Sequence, residues 1–435
     1  MDSPTTLRQD GDMPLQPDPV SLFSPGTTVV DGELVIGGVT AKELAEEFGT
    51  PAYIIDEGYL RARVRAYRDG LAARWPNSRV YFASKAFPST PVYRVMAEEG
   101  IGVDVAGGGE IVMALAGGVS GVDLLLHGNA KSDAELRMAL DAGVGLIVID
   151  NFRDIDRIDQ LADAAVDVLV RVRPNVGANT HAAMATATDA SKFGLRLDDA
   201  REAIRRIEHS SKLRMKGLHV HVGSQILQAE PFAEAIAAIG TLGEFEIYDL
   251  GGGLGERYTY SDPELSLDDY LDAVVEAARG ALPANARILL EPGRSLVARA
   301  GCTLYEVMNV KESDSPLAPT FVAVNGGMAD NLEVSLYGQR FEATVVDAVG
   351  GGEPVTLVGR HCESGDMLSE GVLLRDPEPG DIVAVPVTGA YCFTMSNNYN
   401  GALRPPVIFV AHGRARAVVR RETYDDLRVR DVPIR

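Results

Sequence analysis

The sequence predicts an α/β protein, in which a (β/α)8 barrel of the TIM type is followed by an all-β C-terminal domain. Three observations lead to this prediction. Eight short apolar runs alternate with helical patterns between residues 79 and 291, and the first five of these runs begin at regular intervals. After about residue 298 the helical periodicity is lost, and β-rich runs separated by Gly and Pro take its place.

The eight apolar runs are the candidate barrel strands. Each is continuous rather than alternating, which is typical of parallel strands that are covered on both faces. The first five begin 22 residues apart, which suits one strand, one helix and two short loops. The segments between them have helical patterns that start near Ser or Asp, as at Ser132 and Asp198. The runs are RVYFA from Arg79, IGVDV from Ile101, DLLLH from Asp123, GLIVI from Gly145, DVLVRV from Asp167, GLHVHV from Gly217, EIYDL from Glu246 and RILLE from Arg287.

The remaining segments complete the predicted domain organisation. Residues 1–26 are rich in Pro, Asp and Gln and are predicted to be a disordered tail. Residues 27–49 contain TTVVDGELVIGG, a predicted hairpin whose strands we expect to pair with the C-terminal β-domain. The barrel is placed at residues 50–297 and the β-domain at residues 298–435.

The composition restricts the classes of function. The net charge is −21 and the acidic residues are dispersed, which argues against a nucleic-acid-binding face. No apolar run approaches the roughly 18 residues that span a bilayer, and the N-terminus lacks the features of a secretory signal. Cys302, Cys362 and Cys392 have no spacing typical of metal ligands or of a disulfide framework. A cytoplasmic enzyme that acts on a small molecule, without a metal, is therefore predicted.

Polar residues follow five of the predicted strands, at the point where each strand ends. In (β/α)8 barrels the carboxyl ends of the strands form one rim, and catalytic groups lie there. We therefore expect these side chains to converge on a single site. They are Lys85, His127 with Asn129, His221 with Ser224, Gly251 to Gly253, and Glu291 with Arg294.

Lys85 and Glu291 are the two candidates with the clearest chemistry. Lys85 lies among apolar and aromatic residues in YFASKAFPS, so we expect a partly desolvated amine that forms a Schiff base; the alternative is an ordinary surface lysine. Glu291 would hold a proton on a pyridine nitrogen and make that ring an electron sink. Its alternative role is a simple ion pair with Arg294 or another nearby base.

The other rim residues are candidates for binding a flat, phosphorylated ligand. Gly251 to Gly253 allow backbone N–H groups to approach a phosphate closely, although a glycine cluster also suits a plain tight turn. Arg294 adds a cation for the same phosphate. His221 is either a ring that stacks on a flat cofactor or an ordinary hydrogen-bonded core histidine.

Taken together, the motifs resemble the diaminopimelate decarboxylase branch of the alanine-racemase-like, fold-type III, pyridoxal-phosphate enzymes. The resemblance runs from about Thr50 to Phe409 and keeps the family's order. It implies an amino-acid decarboxylase that uses pyridoxal 5′-phosphate, with conversion of meso-diaminopimelate to L-lysine and CO2, in lysine biosynthesis, as the leading function. The motifs are YFASKA, HGNAKS, SKFG, HVGSQI, DLGGGLG, EPGRS, GGMADN with SLYG, CESGD and GAYCFTMSNNYN.

The resemblance also implies residue roles and an oligomeric state. Lys85, His221 and Cys362 would be catalytic, with Lys85 bound covalently to the cofactor and Cys362 as the proton donor after CO2 leaves. Since the CESGD segment crosses into the partner's site in this family, a homodimer with shared sites is implied. The cofactor contacts would be Lys85, His221, Ser224, Gly251, Gly252, Gly253, Glu291, Arg294 and Tyr391. The substrate contacts would be Arg294, Glu333, Tyr337, Glu363 and Tyr391, with Glu363 on the distal amine.

Glu333 departs from the family pattern in a way that bears on the substrate. The family carries an Arg at this position, four residues before the retained Tyr337, and this Arg grips the substrate's distal carboxylate. The alternative function is therefore a paralogous decarboxylase for a substrate without a free distal carboxylate, such as lysine, ornithine or a biosynthetic intermediate. In a further interpretation, Glu333 points away and pairs with a base such as Arg340, while Arg294 or another base holds the carboxylate. A catalytically dead binding protein is the remote alternative, which would have lost Lys85, Cys362 or the phosphate residues.

Overall fold

The computed structural model describes residues 18–176, 191–312 and 319–432. Residues 1–17 of the predicted disordered tail lie outside this range. For residues 18–26 the prediction is wrong, because Leu22 and Phe23 are buried in the hydrophobic core. The chain is therefore packed against the folded body from well before residue 26.

The N-terminal strands form a small antiparallel sheet of their own. The predicted hairpin is present, but its strands do not extend the sheet of the C-terminal domain. Contact with that domain is made by packing and by single hydrogen bonds, such as the one from the Leu34 N–H to the Val346 carbonyl at 2.7 Å. The elements are β1 (Thr28–Val30), β2 (Glu33–Ile36), β3 (Val39–Thr40) and α1 (Ala41–Phe48).

The eight apolar runs form a closed barrel of parallel strands, so the predicted fold class is confirmed. A strand that precedes the barrel, β4 (Ala52–Asp56), does not belong to it. The last barrel strand pairs with the first and closes the cylinder. The barrel strands are β5 (Ser78–Ala83), β6 (Gly102–Val105), β7 (Leu124–Leu126), β8 (Leu146–Ile149), β9 (Val166–Val172), β10 (Leu213–Val220), β11 (Ile247–Asp249) and β12 (Arg287–Leu290).

Helices connect the barrel strands and cover the outside of the barrel. The helix predicted from Ser132 begins with a capping box, in which the Ser132 hydroxyl accepts from the Glu135 N–H and the Glu135 carboxylate accepts from the Ser132 N–H. The helices are α2 (Glu57–Arg74), α3 (Thr90–Glu98), α4 (Gly108–Ala116), α5 (Asp133–Asp141), α6 (Phe152–Leu161), α7 (Leu197–Glu208), α8 (Glu230–Gly240), α9 (Leu267–Ala281) and the short α10 (Arg294–Val297).

The C-terminal region is mainly β-structure, as predicted. Its sheet includes β4, which pairs with the first and the seventh strand of this region, so residues 52–56 of the predicted barrel segment belong to the second sheet by hydrogen bonding. The elements are β13 (Gly301–Lys311), β14 (Thr320–Val324), α11 (Glu333–Tyr337), β15 (Thr344–Val345), β16 (Glu353–Val358), β17 (Met367–Leu374), β18 (Ile382–Pro386), α12 (Cys392–Met395), β19 (Val407–Ala411) and β20 (Arg414–Val419).

A continuous hydrophobic core joins the barrel to the C-terminal sheet. Two short helices of the C-terminal region lie beside the carboxyl rim of the barrel. Tyr337, the last residue of α11, and Tyr391, directly before α12, line a common cavity with the barrel residues. Within the described ranges, no helix combines the length and the apolar character needed to cross a membrane.

Candidate active site

A cavity of about 510 Å³ opens at the carboxyl ends of the barrel strands and extends to α11 of the C-terminal domain. Most of the residues proposed from the sequence converge here, although they lie up to about 300 residues apart in the chain. The ones that line it are Lys85, His127, Asn129, His221, Ser224, Gly253, Glu291, Arg294, Glu333, Tyr337 and Tyr391. Gly251, Gly252, Cys362 and Glu363 are not among the lining residues.

Lys85 lies in a short 3-10 turn that directly follows β5 and faces the cavity. Its neighbours Ser84 and Ala86 are buried, but Lys85 itself is exposed. The prediction of a partly desolvated amine is therefore wrong, because the apolar neighbours point into the core and leave the lysine in the open cavity. Tyr391 is held beside this turn, since its N–H donates to the Ala86 carbonyl at 2.8 Å.

Tyr391 also has an unusual backbone conformation. Its φ of 64° lies in the left-handed region, which non-glycine residues rarely adopt. Such strain is concentrated at binding and catalytic sites, where the surrounding structure enforces it. The conformation presents the Tyr391 ring to the Arg294 guanidinium, whose Cζ lies 4.6 Å from the ring centroid.

Glu291 lies at the end of β12, at the bottom of the cavity, and accepts hydrogen bonds from two histidines. His127 Nε2 lies 2.5 Å from one carboxylate oxygen and His219 Nε2 lies 3.1 Å from the other. Burial alone would raise the pKa of Glu291, but the two histidines outweigh it and hold that pKa well below the usual value. Burial lowers the pKa of His127 to about 3. The site therefore holds an ionised carboxylate between two neutral rings, and the proposed ion pair of Glu291 with Arg294 is not formed.

Two further carboxyl groups surround this network. Burial and the neighbouring Glu291 raise the pKa of both Asp104 and Asp249 well above the usual value, which favours the protonated form of both carboxyl groups. No role was predicted from the sequence for Asp104, Asp249 or His219. A signal was present, since Asp104 and Asp249 are charged residues inside apolar strands, and His219 shares a strand face with His221.

The same cluster contains groups of the metal-ligand type. Ligand atoms of His127, His219, Asp249 and Glu291 all lie within 4.8 Å of one another. The hydrogen bonds from both histidines to Glu291 bring these three residues together. The arrangement suits a metal ion, and it suits equally an ionised Glu291 that binds a cationic group of a ligand.

The glycines after β11 form a turn that has no room for a side chain. A Cβ on Gly252 would lie 2.1 Å from the Glu291 carbonyl, and Gly253 has a φ of 123°. The Gly252 N–H donates to His221 Nδ1 at 3.2 Å, and this hydrogen bond fixes the orientation of the imidazole ring. The turn therefore positions His221 and brings backbone close to the cavity wall, which Gly253 itself lines.

Glu333 forms a buried ion pair with Arg294 at the C-terminal-domain end of the cavity. Arg294 Nη1 lies 3.1 and 3.3 Å from the two carboxylate oxygens, and the same nitrogen donates to the Tyr258 hydroxyl. Burial raises the pKa of Glu333, although Arg294 opposes the shift. The interpretation in which Glu333 points away towards Arg340 is wrong, because Arg340 is exposed and Glu333 is fully buried against Arg294.

Cys362 and Glu363 lie in an exposed loop before β17, outside the cavity of their own chain. The Cys362 N–H donates to the Asn400 side-chain oxygen at 3.1 Å, and the Glu363 N–H donates to the His361 carbonyl at 2.8 Å. A single chain therefore does not bring these two residues to Lys85.

The chain is similar in sequence and in structure to known pyridoxal-dependent decarboxylases. A family model described as "Pyridoxal-dependent decarboxylase, pyridoxal binding domain" matches residues 57–298. A diaminopimelate decarboxylase from Actinosynnema pretiosum subsp. auranticum is 45% identical, over 94% of this chain and 95% of that protein. The structure of diaminopimelate decarboxylase from M. jannaschii in complex with L-lysine is similar with a TM-score of 0.88 at 29% identity, covering 94% and 98% of the two chains. The structure of a lysine/ornithine decarboxylase from Vibrio vulnificus in complex with cadaverine is similar with a TM-score of 0.74 at 26% identity, covering 85% and 95%.

Proposed function

Since the chain belongs to the pyridoxal-dependent amino-acid decarboxylases related to diaminopimelate decarboxylase, we propose that it releases CO2 from an α-amino acid that carries a second amino group at the far end of its side chain. Its cofactor is pyridoxal 5′-phosphate, which when bound supplies an electron sink for the carbon that loses CO2. The observation that carries the proposal is the convergence of Lys85, Glu291 and Arg294 on one cavity at the barrel rim.

The residues of the cavity fit this cofactor. An ionised Glu291, held by two neutral histidines, is a partner for a protonated ring nitrogen. Lys85 is an accessible primary amine that faces the same space. The turn at Gly252 and Gly253 leaves no room for a Cβ, which suits a close approach of backbone N–H groups to a phosphate.

The proposed roles follow from these positions. Lys85 would bind the cofactor covalently, Glu291 would keep the proton on its ring nitrogen, and His221 would lie against the ring. Loss of CO2 breaks the bond to the carboxyl carbon and leaves an electron pair on the α-carbon, which then takes up a proton. The phosphate contacts are proposed to be Ser224, Gly251, Gly252, Gly253, Arg294 and Tyr391.

We also propose that the active unit is a homodimer in which each site uses residues of both chains. Cys362 is proposed as the donor of the proton to the α-carbon, and Glu363 as the contact for the distal amine of the substrate. The position of both residues outside the cavity of their own chain supports this arrangement. A cytoplasmic location remains a prediction from the sequence.

Two substrate types fall within the proposed class. The diaminopimelate decarboxylases among the relatives favour meso-diaminopimelate, with L-lysine as the product. The Arg294–Glu333 pair favours a lysine- or ornithine-type substrate, because it places a carboxylate where a cation for a second substrate carboxylate is expected.

The experiment is a CO2-release assay with the cofactor-loaded protein over both enantiomers of lysine and ornithine and over meso-diaminopimelate. We expect at least one diamino acid to be decarboxylated with stoichiometric formation of the corresponding amine product. The matched control is Lys85→Ala, which should release no CO2 from any of them. If the wild-type protein releases CO2 from no member of the panel, the proposed function is wrong.

A further inference from the structure

The far end of the cavity is closed by a residue of the C-terminal domain rather than of the barrel. Glu333 is the first residue of α11, and its side chain has no exposed surface although it lines the cavity. Tyr337, one turn later in α11, lines the same wall. A substrate side chain that extends away from Lys85 towards α11 therefore ends near Glu333 and Tyr337.

Arg294, the cation nearest to Glu333, already forms an ion pair with it. Its Nη1 binds both oxygens of Glu333 and the Tyr258 hydroxyl, and its Nε donates to the Ser224 hydroxyl at 3.3 Å. Its guanidinium plane also packs against the Tyr391 ring. Any phosphate bound beside Ser224 would share this same guanidinium, so Arg294 has little capacity left for a further anion.

Carboxyl groups outnumber cationic side chains along the cavity, although burial beside Glu291 favours the protonated form of Asp104. In the described part of the chain, the lining carboxyl residues are Asp104, Glu110, Glu135, Glu291 and Glu333, and the lining cations are Lys85, Arg171 and Arg294. Arg171 is committed to Asp150 at 3.4 Å and lies over the Phe193 ring. Lys85 is the attachment point for the cofactor in the proposed function. In the proposed function, none of these three cations therefore offers an unbalanced positive charge to the far end of a substrate.

From this geometry we infer that the substrate ends in an amine and carries no carboxylate at its far end, and that Glu333 is the residue that imposes this choice. The inference rests on the proposed function and narrows its substrate class. A carboxylate beside Glu333 would bring two like charges together at the buried end of the cavity, where the nearest cation, Arg294, is already paired with Glu333. This arrangement is unfavourable. An ammonium group in the same place gains attraction from Glu333 instead, so one residue both favours the amine and rejects the acid.

The test compares wild type, Glu333→Arg and Glu333→Gln with a matched control, Glu244→Arg. Glu244 is exposed in the loop before β11, at the opposite end of the barrel, so it carries the same charge change without contact with the cavity. For each protein, kcat/KM is measured on lysine and on meso-diaminopimelate. We expect wild type and Glu244→Arg to prefer lysine by at least tenfold, and Glu333→Arg to shift this ratio at least tenfold towards meso-diaminopimelate.

A binding measurement gives a second readout that does not depend on turnover. Dissociation constants are measured for 1,6-diaminohexane and 6-aminohexanoate, which share one amine end and differ in whether the other end is an ammonium or a carboxylate. Wild type should bind the diamine at least tenfold more tightly, Glu333→Gln should reduce this preference, and Glu333→Arg should reverse it. If Glu333→Arg does not fold, the wild-type and Glu333→Gln values still decide the question.

The inference is overturned if wild type turns over meso-diaminopimelate at least as well as lysine, or binds 6-aminohexanoate at least as tightly as the diamine. Either result would leave the proposed decarboxylation intact. By contrast, the absence of CO2 release from every amino acid would refute the proposed function, while the binding preference would still be measured.

Discussion

Glu291 and Glu333 are buried carboxyl groups that line the same cavity, yet their surroundings give them different properties. Glu291, at the barrel end, is held by His127 and His219, and these partners outweigh burial and lower its pKa. Glu333, at the C-terminal-domain end, is paired with Arg294, but burial prevails and raises its pKa. Neutral donors leave the charge of Glu291 available to a cationic ring, whereas Glu333 cancels the charge of a cation that would otherwise attract an anion.

The largest expected effect comes from the barrel end. Lys85→Ala should lower kcat/KM by at least about 10³-fold, because the covalent link to the cofactor is lost. Borohydride reduction of the wild-type protein should leave the cofactor on the peptide that contains Lys85, as detected by mass spectrometry. Lys42→Ala is the control, since Lys42 is half exposed on α1 and distant from the rim. A reduced cofactor on any other lysine would contradict the assignment.

The next largest expected effect tests whether Lys85 in the barrel and Cys362 in the C-terminal loop act together across a dimer interface. If each site combines Lys85 of one chain with Cys362 of the other, mixing inactive Lys85→Ala and Cys362→Ala proteins under conditions of subunit exchange should restore activity. Up to about a quarter of wild-type sites should return, because half of the dimers are mixed and each has one intact site.

The control for this mixing experiment uses two barrel residues. Lys85→Ala mixed with Glu291→Ala should recover nothing, since both residues line the cavity of one chain and each mixed dimer has a defect in both sites. Equal recovery in the two mixtures, or none in the first despite proven exchange, would mean that Lys85 and Cys362 do not act across the interface.

A smaller effect concerns the pH dependence of stability at the barrel end. The folded chain keeps His127 neutral down to a pKa of about 3, whereas the unfolded chain protonates it near about pH 6.5. Because the unfolded chain binds a proton that the folded chain does not, the free energy of unfolding is unaffected by His127 above about pH 6.5 and decreases as the pH falls from there towards 3. Between pH 7 and pH 5 the melting temperature of wild type should fall by a few degrees more than that of His127→Gln. Parallel melting curves for the two proteins over this range would exclude the buried neutral histidine.

The barrel could be predicted from the sequence because each strand is a continuous apolar run at a regular spacing. The predicted domain boundary at residue 50 nevertheless included β4 in the barrel segment, since nothing local reveals that AYIID pairs with β13 and β19. Lys85, Glu291 and Arg294 were found because strand ends converge on one rim.

The partners of these residues were harder to find. The His127–Glu291 contact joins residues 164 positions apart, and the Arg294–Glu333 pair crosses from the barrel to the other domain. Both depend on how α11 and the strands pack, which no local pattern specifies. Glu333 was identified as unusual and as a candidate substrate contact from the sequence, with a pairing to Arg340 as the alternative, but only the fold brings Arg294 to it.

We propose a division of roles in which Glu291 contacts the cofactor and Glu333 selects the group at the far end of the substrate. It is tested most directly by measuring two quantities in wild type, Glu291→Gln and Glu333→Gln: the dissociation constant for pyridoxal phosphate, and the ratio of the dissociation constants for 6-aminohexanoate and 1,6-diaminohexane. We predict that Glu291→Gln weakens cofactor binding by about tenfold or more, the effect of losing a charge-assisted contact of about 1.4 kcal/mol, and leaves the ratio within about threefold of wild type. Glu333→Gln should lower the ratio without weakening cofactor binding. A Glu333→Gln protein that loses cofactor affinity as strongly as Glu291→Gln and keeps the wild-type ratio would contradict the account.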